Sequence, residues 1–416
     1  MGERQINRTM DIPVRINKYF PFAFLYFCFN SLFLPLGLLY TAILTPLFII
    51  WLYRQNHFRY GWLFFALTIP MAIIHYLQGI DPFYYFRSYV LFFTVFAFLL
   101  TTIRFLQVNH SLRLIFRNLL YVNSVFVAVA CIIFFLPSLR GLMWSVSDVS
   151  TGLLKFPRLR LFTYEPSYYS TLMVPLAFYY YLKMILFKYP NAGYVFFLVS
   201  FPLVLSFSLG VILGMGISFF ILFFIDIKSF FLKKNIADYS LITTASVILV
   251  FGALYIFFPD NPLFLRVGNI FKGTDTSFNG RSFESFHLAW SVASQKSVFF
   301  GVGLGQIKLL GTEIWNTFYQ TTFDVNSIAI PNAVAETFAI YGFTGLIIRF
   351  GIQVYFFFRT RPYNNYYRMA LFLFIFIYQF TGSYLFNIAE YVIWALAFSQ
   401  VFEEFDKKNM PKRITQ

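Results

Sequence analysis

The chain has little charge, little cysteine and little histidine, and each shortage excludes a class of protein. Only 12% of its 416 residues are charged and 59% are hydrophobic, whereas a soluble globular chain carries about 25% charged residues. The two cysteines, Cys28 and Cys131, both lie inside apolar runs, so neither a disulfide framework nor a cysteine metal site is predicted. The four histidines are scattered without ligand spacing. The composition therefore indicates an integral membrane protein without a metal site.

Signals for nucleotides and nucleic acids are lacking as well. The stretch GVGLGQ has neither the GxGxxG spacing, a preceding strand, nor the Walker Lys-Ser/Thr pair, which excludes ATP and dinucleotide binding. The net charge of +15 would suit nucleic acid if it formed one patch. Most lysines and arginines instead fall on alternate connecting segments, so the charge is a topology signal. No cofactor and no nucleic-acid partner are predicted.

Long apolar runs dominate what is present. No pattern of alternating ten-residue strands appears, so the spans must be helical. Each run approaches the ~20 residues that a ~30 Å hydrocarbon core requires, which predicts about twelve transmembrane helices. The runs are 19–34, one that ends at Tyr53, 61–76, one that ends near Thr102, 119–136, 166–187, 194–208, 210–224, 241–258, one that starts near Pro331, 369–386 and 388–402.

The distribution of basic residues predicts the topology. With the N-terminus inside, the inner segments hold most of the lysines and arginines, so both termini are expected in the cytoplasm. Residues 1–18 show no cleavable-signal pattern. The sequence thus predicts an all-α polytopic membrane protein whose residues 1–416 form a single membrane domain. Two polar stretches fall outside: a first loop, 137–165, and one large loop, 259–330, with an amphipathic helix in SFESFHLAWSVA.

The first chemical candidate is RLRLFTYEPS, at the start of the sixth span. Pro166 with Ser167 beside it is typical of a helix start. A helix N-terminus near the paired arginines Arg158 and Arg160 has the charge and geometry of a phosphate site. The alternative is interfacial anchoring, in which the arginines reach lipid headgroups and Glu165 caps the helix.

The second candidate lies in the large loop. Asn279-Gly280-Arg281 precedes the amphipathic stretch, which includes Trp290, and the glycines Gly301, Gly303 and Gly305 follow. On their own these glycines indicate only a flexible turn.

Taken in order, four blocks resemble the O-antigen polymerase and O-antigen ligase superfamily of bacterial membrane glycosyltransferases. RLRLFTYEPS is similar to its Arg-rich segment ending in Glu-Pro-Ser, and SFSLGVILG to its S-x-S-R-G hairpin. NGR, Trp290 and GVGLG resemble its Arg…Trp…G-x-G-x-G stretch, and PNAVAETFAIYGFTGLI its His-Asn…Gly-x-x-Gly helix. The blocks cover about residues 155–350, roughly half of the chain. Leu209 stands where the family often has arginine, and Pro331 where ligases have a histidine, which favours a polymerase.

The resemblance implies a GT-C-like enzyme of the bacterial inner membrane with its active face in the periplasm. Such an enzyme moves a growing glycan from undecaprenyl pyrophosphate to a hydroxyl of the next lipid-linked repeat unit, without a metal or cofactor. Its implied partners are undecaprenyl-pyrophosphate-linked oligosaccharides, membrane lipids and a chain-length regulator protein.

Roles for individual residues follow as hypotheses. Arg158 and Arg281, with Arg160 assisting, are expected to bind the pyrophosphate and stabilise its developing charge. The candidates for the base are Glu165, which matches a family block, then Glu336, near the start of a span, and His287. The resemblance places His287, Trp290 and the glycines Gly301, Gly303 and Gly305 in the glycan-binding loop.

Two alternatives remain open from the sequence. A ligase would transfer finished glycan to lipid A-core or protein. A flippase or transporter for the same lipid-linked sugar would carry internal repeats and charged residues at the bilayer midplane. No convincing repeat is found, and Glu336 and Glu390 are expected at outer span ends, with Arg349 toward an inner one.

Overall fold

The computed structural model describes residues 19–35, 38–109, 111–147, 156–187, 189–226 and 262–409, and most of the chain is helical. In chain order the α-helices are α1 (Phe20–Phe27), α2 (Tyr40–Ile43), α3 (Thr45–Arg54), α4 (Trp62–Leu77), α5 (Pro82–Val108), α6 (Leu112–Phe134), α7 (Pro137–Met143), α8 (Pro166–Leu186), α9 (Ala192–Ser206), α10 (Leu209–Ile225), α11 (Pro262–Phe271), α12 (Thr276–Arg281), α13 (Phe283–Ala293), α14 (Ile307–Tyr319), α15 (Ala333–Thr360), α16 (Tyr366–Tyr378) and α17 (Ile388–Phe398).

Four helices in the described part of the chain are long and apolar enough to cross a membrane. They are the segment Phe58–Leu77, which contains α4, and the helices α5, α6 and α15. Four shorter apolar helices accompany them: α9, α10, α16 and α17. These apolar helices indicate a membrane protein, as the composition predicts.

Some helix boundaries fall near those predicted from the sequence, and others differ. The run 369–386 is helical only to Tyr378, and the run 388–402 only to Phe398. Helix α8 begins at Pro166 as predicted. The first run, predicted over 19–34, is helical only to Phe27. There the Asn30 side chain donates to the Tyr26 carbonyl (3.2 Å), and Ser31 N donates to the Phe162 carbonyl (3.2 Å). These bonds compete with the helix, so the chain leaves it early. The run 241–258 lies outside the described residues.

Helix α8 forms the centre of the molecule. Almost every one of its side chains is buried, and it packs against α9, α10, α16 and α17. The Tyr169 hydroxyl donates to Asn123 Oδ1 of α6 (2.8 Å), which supplies the hydrogen bond that a buried phenol needs. The N-terminal end of α8 is therefore held rigidly among neighbouring helices.

The first polar stretch contains regular structure. Helix α7 leads into a short antiparallel ribbon of β1 (Trp144–Ser147) and β2 (Phe156–Leu159), in which Ser145 is opposite Arg158. Strand β1 continues directly from α7 and pairs with β2. Arg158 and Arg160 therefore lie on ordered backbone rather than on a free loop.

The large polar stretch forms a helical layer comprising α11 to α14. Helix α13 packs on α15 with Leu288, Ala289 and Val292 buried. The sequence predicts one membrane-facing surface for Phe283, Phe286, Leu288 and Trp290. Phe283, Phe286 and Trp290 are exposed, at 81%, 38% and 52%, but Leu288 is buried. The buried residues follow the 3.6-residue period of a helix, and the packing of α13 on α15 buries Leu288 with them.

Helix α15 is sharply kinked at Gly342, whose φ is +62°. The segment 298–303 fills the break: Val302 N donates to the Ala339 carbonyl (3.0 Å) and Phe343 N to the Val298 carbonyl (3.0 Å). A Cβ on Gly301 would lie 2.3 Å from the Ile340 carbonyl carbon. Only glycine permits this close approach of the two backbones.

Candidate functional site

One asparagine joins three segments of the chain. Asn332 is the N-cap of α15, and its Oδ1 accepts hydrogen bonds from Val334 N and Ala335 N. Its Nδ2 donates to the Arg281 carbonyl (2.9 Å) and to the Phe380 carbonyl (2.6 Å). A cap with all four bonds made is strongly oriented. The end of α12 and the connection between α16 and α17 are thereby held beside the start of α15.

A narrow polar cleft lies where these segments meet the start of α8. We call it the polar cleft. The residues that line it are Tyr164, Glu165, Ser167, Tyr168, Thr171, Arg281, Pro331, Tyr378, Ser383, Tyr384 and Asn387.

Arg281 and Glu165 meet in the polar cleft although 116 residues separate them in the chain. Arg281 Nη2 lies 3.4 Å from Glu165 Oε1, and each side chain is 31% exposed. The Ser167 hydroxyl also donates to Glu165. Burial acts to lower the pKa of Arg281, but the Glu165 carboxylate together with Tyr378 and Tyr384 outweighs burial, so the pKa is raised. Both side chains are partly accessible from the polar cleft.

Arg158 lies behind the polar cleft rather than on its wall. Its Nε donates to the Ser206 carbonyl (3.0 Å) and Nη2 to the Ser208 hydroxyl (3.3 Å), at the turn between α9 and α10. Burial, and then repulsion from Arg266, lower the pKa of Arg158 to about 10, against the opposing attraction of Glu165. Burial is the largest cause of the lowered pKa, and repulsion from Arg266 and Arg281 adds to it.

Arg266 is a third cation at this place, and no sequence motif points to it. It is buried on α11, with Nε 3.2 Å from Asp275 Oδ2, and Asp275 also caps α12 through Phe278 N. Burial lowers the pKa of Arg266, as does Arg281, and Asp275 opposes them. We call Arg158, Arg266 and Arg281 the arginine cluster. It holds three guanidinium groups against two carboxylates, Glu165 and Asp275.

Arg160 is directed away from the polar cleft. Its Nη2 donates to the Gly141 carbonyl of α7 (2.7 Å), and its Nη1 lies 3.5 Å from the Tyr164 carbonyl. These bonds fasten the β-ribbon to α7 and to the approach of α8. The side chain is engaged with backbone and does not line the cleft.

The remaining base candidates lie outside the polar cleft as well. Glu336 is buried on α15, where its Oε2 accepts a hydrogen bond from Leu385 N (2.5 Å). His287 lies between α13 and α14 with its ring centroid 5.2 Å from that of Phe318. Of the three sequence candidates for the base, only Glu165 lines the polar cleft.

The tryptophan and the glycines of the large polar stretch pack on α15, α4 and α5 instead of lining the polar cleft. Trp290 stacks on Phe338, with centroids 5.7 Å apart. Gly301 lies against the break in α15, Gly303 against His75, and Gly305 against the Tyr84 carbonyl of α5. All three glycines have positive φ. The geometry gives them a packing role.

A second charged group lies behind the opposite wall of the polar cleft. Arg349 of α15 forms a buried ion pair with Glu390 of α17 and also donates to Gln379 Oε1 (2.9 Å). Glu390 Oε2 accepts from the Ser383 hydroxyl (2.7 Å). Arg349, Glu390 and the nearby Glu336 form what we call the carboxylate cluster. It holds two carboxyl groups and one guanidinium, and it was not predicted as a unit.

An apolar cleft lies further along the same two helices. On α8 its lining residues Leu172, Pro175 and Leu176 follow Tyr168 of the polar cleft. On α17, Val392 and Leu396 follow Asn387 in the same way. Helices α1, α5 and α6 complete the apolar lining. The two clefts therefore share α8 and α17 as common walls.

Within the described residues, no three His, Cys, Asp or Glu side chains come together in a group that could hold a metal ion. Compared with known proteins, the chain matches no family model and no curated sequence.

Proposed function

We propose that the protein is a polymerase of O-antigen or another surface polysaccharide. It joins repeat units carried on undecaprenyl pyrophosphate at the periplasmic face of a bacterial inner membrane, with undecaprenyl pyrophosphate as the leaving group. The proposal includes about twelve spans with both termini in the cytoplasm, as the hydropathy and the positive-inside rule favour.

The contact between Arg281 and Glu165 is the observation that carries the proposal. They belong to two of the four blocks on which the family resemblance rests, and they lie 3.4 Å apart. The other blocks are in contact too. Arg158 bonds the SFSLG turn at Ser206, and Asn332, beside Pro331, bonds the Arg281 carbonyl. Blocks that are scattered over half of the sequence and yet meet at one cleft support a shared site.

The charge of the arginine cluster suits the leaving group. Glycosyl transfer from a pyrophosphate develops negative charge on the departing oxygen, and fixed cations stabilise it. Arg281 would contact the pyrophosphate directly, with Arg158 and Arg266 adding positive potential from behind. Each charge-assisted hydrogen bond contributes about 1.5–3 kcal/mol. Arg160 makes no such contribution, since its guanidinium is bonded to the Gly141 carbonyl.

The apolar cleft supports a lipid-linked donor. A pyrophosphate at Arg281 carries a hydrocarbon chain, and the shared walls of α8 and α17 continue from polar to apolar side chains. An isoprenoid tail along Leu172 and Leu176 would bury apolar surface at roughly 25 cal/mol per Å². The two clefts together match the two halves of such a donor.

Pro331 favours the polymerase over the ligase. It lines the polar cleft at the position where the ligase pattern has histidine, and proline has no side-chain group that titrates. The base must then come from elsewhere in the cleft.

The test is deletion of the gene in the source bacterium, followed by electrophoresis of its surface glycan. We expect long chains to disappear while single-repeat glycans remain on the final acceptor. Complementation with the full-length chain should restore the ladder.

Other outcomes point to the alternatives. Loss of all glycan from the acceptor, with long chains retained on undecaprenyl pyrophosphate, would identify a ligase. Accumulation of single lipid-linked units on the cytoplasmic face would identify a flippase. Either result overturns the polymerase proposal.

A further inference from the structure

Ser383 occupies a constrained position on the wall of the polar cleft. It lies in the connection 379–387 between α16 and α17, and it is 5% exposed. Its φ is +67°, in the left-handed region that a non-glycine residue seldom adopts. Backbone strain of this kind costs about 1–3 kcal/mol and persists where the surrounding structure enforces it.

The Ser383 hydroxyl is oriented by two neighbours. It donates to Glu390 Oε2 (2.7 Å) and accepts from Asn387 Nδ2 (3.0 Å). A hydroxyl has one proton and two lone pairs. With the proton directed to a carboxylate and one lone pair engaged, one lone pair remains for a proton from a ligand.

Glu390 is a carboxylate that a ligand in the polar cleft does not reach directly. It is 2% exposed and is not part of the cleft lining. Its Oε1 is held by Arg349 and by Trp394 Nε1 (3.3 Å). Ser383 is therefore the link between this buried carboxylate and the cleft.

The charged and titratable groups around Glu390 come from three elements. Arg349 and Glu336 face it from α15, and Tyr378 faces it from α16, while Tyr391 is its neighbour on α17. One guanidinium is thus shared with two carboxyl groups, so a proton delivered to Glu390 leaves the cluster with less negative charge.

Glu165 is less suited to take a proton. Both carboxylates are ion-paired, but the partner of Glu165 is Arg281, which lines the polar cleft, whereas the partner of Glu390 is Arg349, which does not. Protonation of Glu165 would break the ion pair that orients Arg281, at the moment when the leaving group needs that cation.

We propose that Ser383 and Glu390 form the proton relay that activates the acceptor hydroxyl, an inference that rests on the proposed polymerase function. The acceptor O–H proton passes to Ser383 Oγ, as the Ser383 proton passes to Glu390 Oε2. The acceptor oxygen forms its bond to the anomeric carbon, and the bond from that carbon to the pyrophosphate oxygen breaks. The pyrophosphate leaves with the electron pair beside Arg281, and Glu390 ends neutral.

The decisive variant is Ser383→Gly, because glycine adopts a φ of +67° without strain. It removes the hydroxyl and keeps the backbone path. Ser383→Ala, which also lacks the hydroxyl but keeps the Cβ, is the matched control. The full-length protein in nanodiscs would be assayed with the bacterium's own lipid-linked repeat unit, and its affinity for undecaprenyl pyrophosphate measured separately.

We expect turnover in Ser383→Gly to fall about a hundredfold or more, as for loss of a general base, with the affinity for undecaprenyl pyrophosphate changed less than about twofold. Ser383→Ala should lose turnover to the same extent. Glu390→Gln should also lose turnover, measured per milligram of monodisperse protein because it leaves Arg349 without its ion-pair partner. Ser383→Gly at the wild-type rate, or an equal loss of affinity and turnover, would overturn the relay. A wild-type protein that binds undecaprenyl pyrophosphate but makes no polymer would instead overturn the proposed function.

Discussion

The two walls of the polar cleft have opposite charge balances. Behind one wall the arginine cluster sets three guanidinium groups against Glu165 and Asp275. Behind the other, the carboxylate cluster sets Arg349 against Glu336 and Glu390. The first is partly open, with Arg281 31% exposed, whereas Glu390 is 2% exposed. One side has an excess of cations, of which Arg281 lines the polar cleft, and the other has an excess of carboxyl groups that do not line it.

This difference divides the chemistry of a group transfer between the two walls. A departing anion is stabilised where fixed positive charge is accessible, and a proton is accepted where negative charge is shielded from water. A cleft with equal charge on both walls would serve neither step as well. The comparison can be tested by removing one charge at a time.

The largest effect is expected from Arg349→Met. The change leaves Glu390 buried without its guanidinium partner, and breaking a buried ion pair destabilises a protein by about 3–5 kcal/mol. Thermal unfolding in detergent, followed by intrinsic fluorescence, should show a much lower midpoint than wild type.

The matched control is the double variant Arg349→Met with Glu390→Gln, which removes both charges. It should recover a large part of the lost stability. Equal instability of the single and double variants would mean that the ion pair does not decide the effect.

Gly301→Ala should come next. Alanine at a φ of +72° is strained, and its Cβ would lie 2.3 Å from the Ile340 carbonyl carbon, so the segment must shift. We expect a loss of stability on the order of 3 kcal/mol. Because Gly301 belongs to neither wall, the specific activity of the folded fraction should stay near wild type, measured as polymer per milligram of monodisperse protein. Loss of activity in a variant that still folds would show that Gly301 contributes to the functional site.

Arg281→Ala should reduce polymer formation about tenfold to a hundredfold, equivalent to about 1.5–3 kcal/mol of charge-assisted bonding. Glycan length at equal expression measures it, and Arg281→Lys should keep part of the activity because the charge remains. Normal long-chain product from Arg281→Ala would remove this arginine from the mechanism.

The smallest effect is expected from Arg160→Ala. It deletes bonds to two backbone carbonyls at the edge of the β-ribbon, a change of about 1 kcal/mol or less. Polymer yield should fall by no more than about threefold, as densitometry of the same glycan gel would show. A loss as large as that of Arg281→Ala would show that the two arginines act together.

Much of the helical framework is predictable from the sequence. The apolar runs locate the helices, Pro166 marks the start of α8, and the pairing of Arg281 with the RLRLFTYEPS block follows from order and resemblance. The helix positions depend on local patterns, because proline restricts the backbone at a helix start and a span needs an apolar run as long as the bilayer core is thick.

The carboxylate cluster was not predictable in the same way. A straight helix from Pro331 would separate Arg349 from Glu336 by more than three turns, and the sequence accordingly assigns Arg349 to an inner end. The kink at Gly342 brings Arg349 Nη1 within 3.2 Å of Thr337 Oγ1. Ser383 and Arg266 were missed although their partners, Glu390 and Asp275, lie only seven and nine residues away in the chain. No residue pattern marks the turns that bring each pair together.

The break in α15 also determines which parts of the molecule can move independently. Segment 298–303 is bonded on both sides of Gly342, to the Ala339 and Ile340 carbonyls before it and to Phe343 N and Thr344 N after it. A helix break of this type could otherwise act as a hinge, but here the backbone of segment 298–303 is hydrogen-bonded across the break and holds its two sides together. The two parts of α15 therefore do not move independently of each other, because segment 298–303 is hydrogen-bonded to both.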